Sequence, residues 1–371
     1  MSITIVADDK IPFLKGVFEP FANVKYLPGK DITPADLSDA DALIVRTRTK
    51  CNKALLQNTP VRFVATATIG FDHINPADLE ALNIQWTNAP GCNADSVKNY
   101  ISSALAAMDR DLSGKTLGVI GVGHVGSRVA IVGKAFGMNV LLNDPPRAEK
   151  EGSDKFVTLD ELLEKSDIVT LHVPLSKDGK YPTLQMADEK FFSKMRNGAC
   201  FFNSCRGETV DPEAFLKAEK SGKISKALMD VWPGEPDIAP ELLNAVDFST
   251  PHIAGYSADG KANGTTAAVQ YIAEKLGINA LLDWTPEKLP EPVYNSDIIL
   301  DKAMTRQQAL NTAILHAYDI RKDAEALRNA PDKFEFLRGS YWIRREFSAY
   351  TVHNAPETAV EALQMLGFKT L

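Results

Sequence analysis

The chain has 371 residues, more than a single hydrophobic core usually serves, so two or three domains are expected. Apolar residues at 44% and charged residues at 24% describe an ordinary soluble globular protein, and the apolar runs break well short of the roughly 18 residues a membrane-spanning helix needs. The formal charge of -7 argues against a general nucleic-acid-binding or anionic-membrane surface, while leaving room for a local basic cluster around a small anion.

The opening M-S-I-T-I-V-A-D-D reads as a first strand, with no basic leader or signal-peptide core. Residues 3–7, 42–45, 61–67 and 84–87 make one series of predicted strands, with helical stretches at 54–57 and 76–82. Residues 93–108 carry the chain into a second series, with strands at 116–120, 139–143, 168–171, 199–203 and 227–230 and helices at 125–136, 159–165 and 212–220. Such alternation means βαβ units and parallel sheets. L-G-V-I-G and I-V-T-L-H are as apolar as strands covered on both faces should be. Two series imply two sheets, and 259–282 reads as a return helix completing the first domain. The expected domains are 1–93 (completed by about 257–285), 94–256 and 286–371. Pro286, Pro290 and Pro292 open the last of these. There 301–328 is mostly helical, with its own small apolar core candidates, and 290–371 as a whole is expected to be mainly helices with one or two strands. The four cysteines, Cys51, Cys92, Cys200 and Cys205, lack metal-like spacing and suit reduced thiols of a cytoplasm, so no metal is expected.

L-G-V-I-G-V-G-H-V-G-S-R-V-A contains G-x-G-x-x-G as Gly121, Gly123 and Gly126, between an apolar strand and a helical pattern. Alone the pattern is weak, but that context makes it a dinucleotide fingerprint. The first glycine permits a tight turn, the second lets backbone approach a pyrophosphate, and the third lets helix and strand pack closely. Free amides at the helix start then face the phosphate charge. The next strand ends in Asp144, which can accept bonds from both adenosine ribose hydroxyls and would repel a 2′-phosphate, so NAD is read over NADP. His124 within the loop reads as a backbone position rather than a catalyst.

After G-A-C-F-F-N comes S-C-R-G-E-T-V-D, which puts Arg206 at a carboxyl strand end, where open α/β sheets bind ligands. A planar guanidinium there can grip a carboxylate with two parallel bonds, unless it merely bonds loop carbonyls. Cys205 beside it lacks a His–Cys signature and reads as packing. D-V-W-P-G-E-P-D fixes Glu235 between a glycine and a proline, and S-T-P-H-I-A-G-Y-S puts His252 at a further strand end. Oxidising a hydroxyl requires a proton acceptor as hydride leaves carbon, and histidine serves near neutral pH. A pinned carboxylate would hold the imidazole in one tautomer and favour its protonated form. The other histidines, His73, His124, His172, His316 and His353, lack such a setting, with His172 the closest to an exception.

V-G-H-V-G with Asp144, S-C-R-G-E-T-V-D, D-V-W-P-G-E-P and P-H-I-A-G resemble the D-isomer-specific 2-hydroxyacid dehydrogenases, in the family's order, over about residues 1–285. A-T-A-T-I-G-F-D-H, N-A-P-G-C-N-A, D-P-P-R and P-H-I-A-G-Y, together with the C-terminal extension, are similar to the branch of the family serving pyridoxal 5′-phosphate (vitamin B6) synthesis. Where many relatives have Asn-x-Ala-Arg-Gly, this chain has N-S-C-R-G, with the arginine intact. The resemblance implies a flavodoxin-like substrate domain and a Rossmann NAD domain, both doubly wound, plus an α+β appendage that makes a homodimer. It implies Arg206 and Glu235 as catalytic residues and His252 as proton donor and acceptor. NAD contacts are implied in the glycine loop with His124 and Val125, at Asp144 and Val173, and at Ser204, Cys205, Arg206, Asp230 and Gly255. Thr47, Thr68 and Tyr256 are implied as substrate contacts, and the substrate as a small phosphorylated 2-hydroxy acid.

V-R-T-R-T-K, residues 45–50, supplies Arg46 and Arg48 as candidates for the phosphate, against an equal prospect of a solvated basic loop. W-I-R-R-E-F adds Arg344 and Arg345. Leu310, Ile314, Leu315 and Tyr318, at helical spacing, are expected to pack against a partner subunit. The rival readings are family members acting on phosphoglycerate, or on glyoxylate and hydroxypyruvate, and an NAD-sensing binding protein. For the tail, the rival is an amino-acid-binding regulatory module, disfavoured by the helical start expected here.

Overall fold

A computed structural model of the protein describes residues 3–371; Met1 and Ser2, at the head of the stretch read as the first strand, lie outside the described residues. The chain forms two compact units, one running to Asn93 and resuming over Ser257–Pro290, the other made of Ala94–Tyr256 and Glu291–Leu371.

The first unit holds five parallel strands, β1 (Thr4–Asp8), β2 (Asn23–Leu27), β3 (Ala42–Val45), β4 (Phe63–Thr66) and β5 (Gln85–Thr87), in the order β2-β1-β3-β4-β5. That is the doubly wound, flavodoxin-like order. β1, β3 and β4 are buried along their whole length, as their unbroken apolar runs require. β2 has no counterpart among the predicted strands. It is the sheet edge, exposed or half-buried throughout, so N-V-K-Y-L lacks the apolar run that announces a central strand. The return helix spans Ala258–Leu276, capped by the Ser257 side chain at its start and by Gly277 at φ 70° at its end. It lays Val269, Ile272 and Ala273 against Ile5, Ile44 and Ala65.

In the second unit six parallel strands, β6 (Thr116–Ile120), β7 (Asn139–Asn143), β8 (Ile168–Leu171), β9 (Ala199–Asn203), β10 (Ile224–Met229) and β11 (Phe248–Ser249), run in the order β11-β10-β9-β8-β6-β7. The order turns back at β6, flanked by β7 on one side and β8 on the other, and such a switch point opens a crevice at the carboxyl ends. β11 was not predicted, since two residues carry no periodicity.

The tail departs from expectation in its opening and in what its apolar residues cover, while 301–328 is mostly helical as expected. It opens with a strand, β12 (Asp297–Ile299), before any helix, and that strand pairs in parallel with β13 (Thr351–His353), which pairs with β14 (Lys369–Thr370). Its first helical stretch is two helices, Arg306–Ala317 and Ile320–Asn329, broken at Tyr318 and Asp319. The apolar residues of its first helix neither form a separate small core nor wait for a partner. Leu310, Ile314 and Tyr318 are buried within their own chain, in one cluster with Ile101, Leu105 and Val132. Helix Arg306–Ala317 lies against helix Ala94–Ala107, and helix Glu357–Leu366 against helix His124–Ala135. Helix Ala94–Ala107 is therefore buried all round. The Ser103 hydroxyl donates to Tyr318 O (2.8 Å) and accepts from Ile320 N (3.0 Å), satisfying the backbone where the two tail helices break. Each buried leucine or isoleucine contributes about 1.5–3 kcal/mol, so the tail is integral to this unit's stability.

Candidate active site

The glycine turn shows what each glycine is for. Gly121 has φ 83°, and a Cβ there would lie 2.6 Å from the His172 carbonyl oxygen and 2.8 Å from Val173 Cγ1. A Cβ on Gly126 would strike Gly121 O at 1.9 Å, whereas one on Gly123 would meet nothing within 4 Å. Two glycines thus close the turn while the third leaves open space. Gly123 also caps helix His124–Ala135 without any side-chain bond, so the first-turn amides still face outward. Asp144 accepts from Val122 N (2.8 Å) and Arg147 N (3.1 Å), one bond per carboxylate oxygen, which leaves lone pairs for ribose hydroxyls. Arg147 is paired with Glu151 through two bonds of 2.7 Å, so its charge is not available to a 2′-phosphate. Ser204 adds an enclosed hydroxyl with no protein partner. These residues fit a bound NAD, with Gly121, Gly123 and Gly126 around the pyrophosphate and Asp144 on the ribose.

Three adjacent strands then deliver the acid–base set. Arg206 follows β9, Glu235 follows β10 and His252 follows β11. The loops are in van der Waals contact, since a Cβ on Gly207 would lie 2.1 Å from the Trp232 carbonyl carbon. Arg206 Nη1 donates to its neighbour's carbonyl, Cys205 O (2.7 Å), and Thr209 and Asn203 hold the Arg206 carbonyl. Glu235 Oε1 lies 2.5 Å from His252 Nδ1, while Oε2 accepts weakly from Trp232 N (3.3 Å). A carboxylate can only accept there, so Nδ1 carries the hydrogen and Nε2 is left to exchange a proton. Burial works to raise the Glu235 pKa, but the hydrogen bond and charge of His252, with Arg338 further off, bring it below the usual carboxylate value.

His252 has φ 57°, a left-handed conformation costing a non-glycine residue about 1 kcal/mol or more, and neighbouring bonds hold it there. His252 N donates to Asp230 O (2.7 Å). The Asp230 carboxylate accepts from Ile253 N (2.7 Å), Ala254 N (2.9 Å) and the Thr250 hydroxyl (2.7 Å), which in turn lies 2.5 Å from the Tyr100 hydroxyl. Asp230 Oδ2 has a single partner and so keeps a lone pair for a cofactor donor.

Arg344, a weak substrate candidate from sequence, is corrected: it is 1% exposed, and its Nη2 donates to Ala254 O (2.8 Å), with Ile253 O at 3.4 Å. Its guanidinium lies 4.2 Å from the Tyr318 ring centre. This buried cation clasps the histidine loop from the tail and reaches no substrate. Arg345 is half-buried and has partners within the protein.

Within the first unit, Thr47 and Arg48 are exposed after β3, and the Thr68 hydroxyl bonds Gly70 O and Thr66. Arg46 is already paired with buried Asp8 at 3.3 Å, which weakens it as a phosphate ligand. Three of the other histidines have structural partners, His73 with Thr66, His316 with Asn295 O and His353 with Asp297, while His124 is exposed at the helix start. His172 bonds Thr170, and burial pushes its pKa down to about 3, so its ring stays neutral. Cys205 is buried against Asn203, and burial raises its thiol pKa, the opposite of a nucleophile. Sequence reasoning missed Arg338, whose Nε donates to the Tyr256 hydroxyl at 3.2 Å. Its only local signal was a cation in a helix opened by a buried phenylalanine.

A dinucleotide cradle and a proton relay on one set of strand ends are what hydride transfer needs, and the second unit is that of an NAD-dependent dehydrogenase. Residues 89–254 match the family described as D-isomer specific 2-hydroxyacid dehydrogenase, NAD binding domain, and residues 289–367 match a domain described as of unknown function. Erythronate-4-phosphate dehydrogenase of Bacteroides fragilis is 46% identical over 353 residues, 94% of this chain and 98% of that one. The enzyme of the same name from Escherichia fergusonii is 40% identical over 376 residues, 99% and 98% of the two chains. D-Lactate dehydrogenase of Aquifex aeolicus, solved with NAD and lactic acid, superposes with TM-score 0.60 at 26% identity, covering 78% of this chain and 100% of that chain. The chain belongs to the D-isomer-specific 2-hydroxyacid dehydrogenase family.

Proposed function

We propose that the enzyme oxidises 4-phospho-D-erythronate at C2 to 3-hydroxy-2-oxo-4-phosphooxybutanoate, in pyridoxal 5′-phosphate biosynthesis. Near-full-length identity of 46% to a relative named for that substrate supports the substrate, and the 2.5 Å His252–Glu235 pair is the observation that carries the chemistry. NAD, when bound, takes the hydride from C2. Arg206 grips the substrate carboxylate through parallel bonds and so fixes C2. His252 Nε2 takes the hydroxyl proton, and Glu235 holds Nδ1–H and balances the imidazolium charge as it forms. Thr47, Thr68 and Tyr256 are our substrate contacts, with the first unit as substrate domain and Ala94–Tyr256 as NAD domain. The test is NADH formation with 4-phosphoerythronate, 3-phosphoglycerate, glycerate and lactate. A clear preference for 3-phosphoglycerate would replace the substrate named here, and no turnover of any 2-hydroxy acid would sink the reading.

The enzyme works in this reading as a cytoplasmic homodimer joined through its tail. Among the described residues the four cysteines form no disulfide, which suits a reducing compartment. On the tail, Val293, Ile299 and Ile343 are exposed at 61%, 73% and 52%, apolar surface of the kind that partners cover. Cutting the chain near Pro286 would strip the core from helix Ala94–Ala107, so a point change tests the interface better. The full chain should sediment as a dimer and Ile299→Asp as a monomer; a monomeric full chain would overturn the assembly.

A further inference from the structure

The geometry points to Arg338, together with the Tyr256 hydroxyl, as the site that takes the substrate's phosphate, which makes the C-terminal region a determinant of substrate specificity as well as a structural support. This rests on the reading that the substrate is a phosphorylated 2-hydroxy acid.

Arg338 lies on the short helix Phe334–Gly339, far along the chain from the strand-end loops, yet its Nε donates to the Tyr256 hydroxyl at 3.2 Å. Tyr256 follows His252 by four residues in P-H-I-A-G-Y, so the guanidinium stands at the acid–base loop itself. Its partners set it apart from most arginines of this unit, although buried Arg344 also leaves Nε and Nη1 unbonded. Elsewhere in this unit, Arg128 is paired with Asp95, Arg147 with Glu151, Arg196 with Asp167 and Arg321 with Asp319. Arg328 and Arg306 donate to backbone carbonyls. Arg338 is half-buried, but among the described residues it has no ion pair, and its terminal nitrogens have no protein acceptor. A guanidinium offers five donors in a rigid fork matched to phosphate or carboxylate, and here one is used. Leaving a half-buried charge without a counter-ion is unfavourable unless an anion completes the site.

The nearest carboxylate, Glu235, is already engaged by His252 at 2.5 Å. Arg338 contributes to keeping Glu235 ionised, and Glu235 and Tyr256 contribute to raising the Arg338 pKa against its burial. That influence runs at a distance and leaves the fork free. A 2-hydroxy acid gripped by Arg206 at its carboxylate has its remote end to place, and a phosphate there needs donors of this geometry. Tyr256 adds a hydroxyl whose position is braced by Tyr341, with ring centres 6.1 Å apart. The competing role is that Arg338 only tunes the Glu235–His252 pair.

Specificity and pH dependence separate the two roles. In Arg338→Gln and Arg338→Lys, kcat/KM is measured with 4-phosphoerythronate and with unphosphorylated erythronate, along with competition by inorganic phosphate and NAD affinity by fluorescence. The expected result is a loss on the order of 10–100-fold for the phosphorylated acid, mainly in KM, with much less change for erythronate. Inhibition by phosphate should weaken in parallel, Lys should rescue in part, and NAD affinity should stay put. An equal fall for both acids, or a shifted pH limb with the ratio unchanged, would overturn the phosphate role and assign Arg338 to the acid–base pair. A wild-type enzyme indifferent to the phosphate would instead sink the substrate reading, and the phosphate site with it.

Discussion

Asp8 ends β1 and Asp230 directly follows β10, in two parallel sheets of one chain, and each is 1% exposed. Their partners differ. Asp8 accepts from Lys10 N (2.8 Å) and pairs with Arg46, so its charge is met by a cation. Asp230 has no cation in hydrogen-bond reach and holds two amides and a hydroxyl of the histidine loop. Burial raises the Asp230 pKa, opposed by His252 and by those bonds. The first carboxylate completes a local turn, whereas the second fixes the strained backbone of the histidine loop. Position at a strand end therefore does not confer function. What matters is whether the acid organises another chain segment or neutralises a neighbour.

The widest separation between the two should appear on removing them. Asp230→Ala leaves several buried donors unsatisfied, so it should cost about 3 kcal/mol or more in stability and lower kcat on the order of 100-fold. Asp8→Ala leaves one amide and a partly exposed arginine that water can reach, so about 1–2 kcal/mol is expected, with kcat little changed. Equal losses of kcat, measured beside denaturation midpoints, would erase the contrast.

Glu235→Gln should act next, lowering kcat by about 10-fold because the orienting bond survives without its charge. Stability follows with its own sign. The folded-state pKa of Glu235 lies below its ordinary 4.5, so its contribution is present above that value and fades as pH falls through the lowered one. The stability gap between wild type and variant should then close in acid, and a gap independent of pH would remove the ionic character of the pair.

Asp144→Ser should give the smallest change, a rise of about 10-fold in the NADP-to-NAD ratio of kcat/KM, since no free cation stands ready for the 2′-phosphate. An unchanged ratio would assign cofactor choice to other residues.

Much of the second unit was readable because its signals are local. β6, β8 and β9 are buried, mostly apolar runs, and three glycines and Asp144 sit at fixed offsets around one turn. The His252–Glu235 pair was foreseeable from two rigid loops, although nothing in those loops revealed the left-handed histidine. The unread parts depend on partners distant in sequence. β12 to β14 are two or three residues each and exist only by pairing across the tail. Arg344 was misread because a cation pair suggests solvent. The aromatic residues just before it, Y-W-I-R, were the available sign of a buried one. Leu310 and Ile314 had a correct apolar pattern and an incorrectly assigned partner, because periodicity reports that a face is covered and not what covers it.

The Arg344 clasp also sets a sequence of events during synthesis. The ribosome releases the glycine cradle, Arg206, Glu235 and His252 well before residue 344, and domains generally fold as they emerge. Until Arg344 arrives, the carbonyls of Ile253 and Ala254 lack the donor that closes them from the tail side. A nascent or prematurely ended chain can thus hold every residue of the reaction and still have an unset proton relay. The proposed proton relay therefore depends on a donor 90 residues beyond the carbonyl it closes.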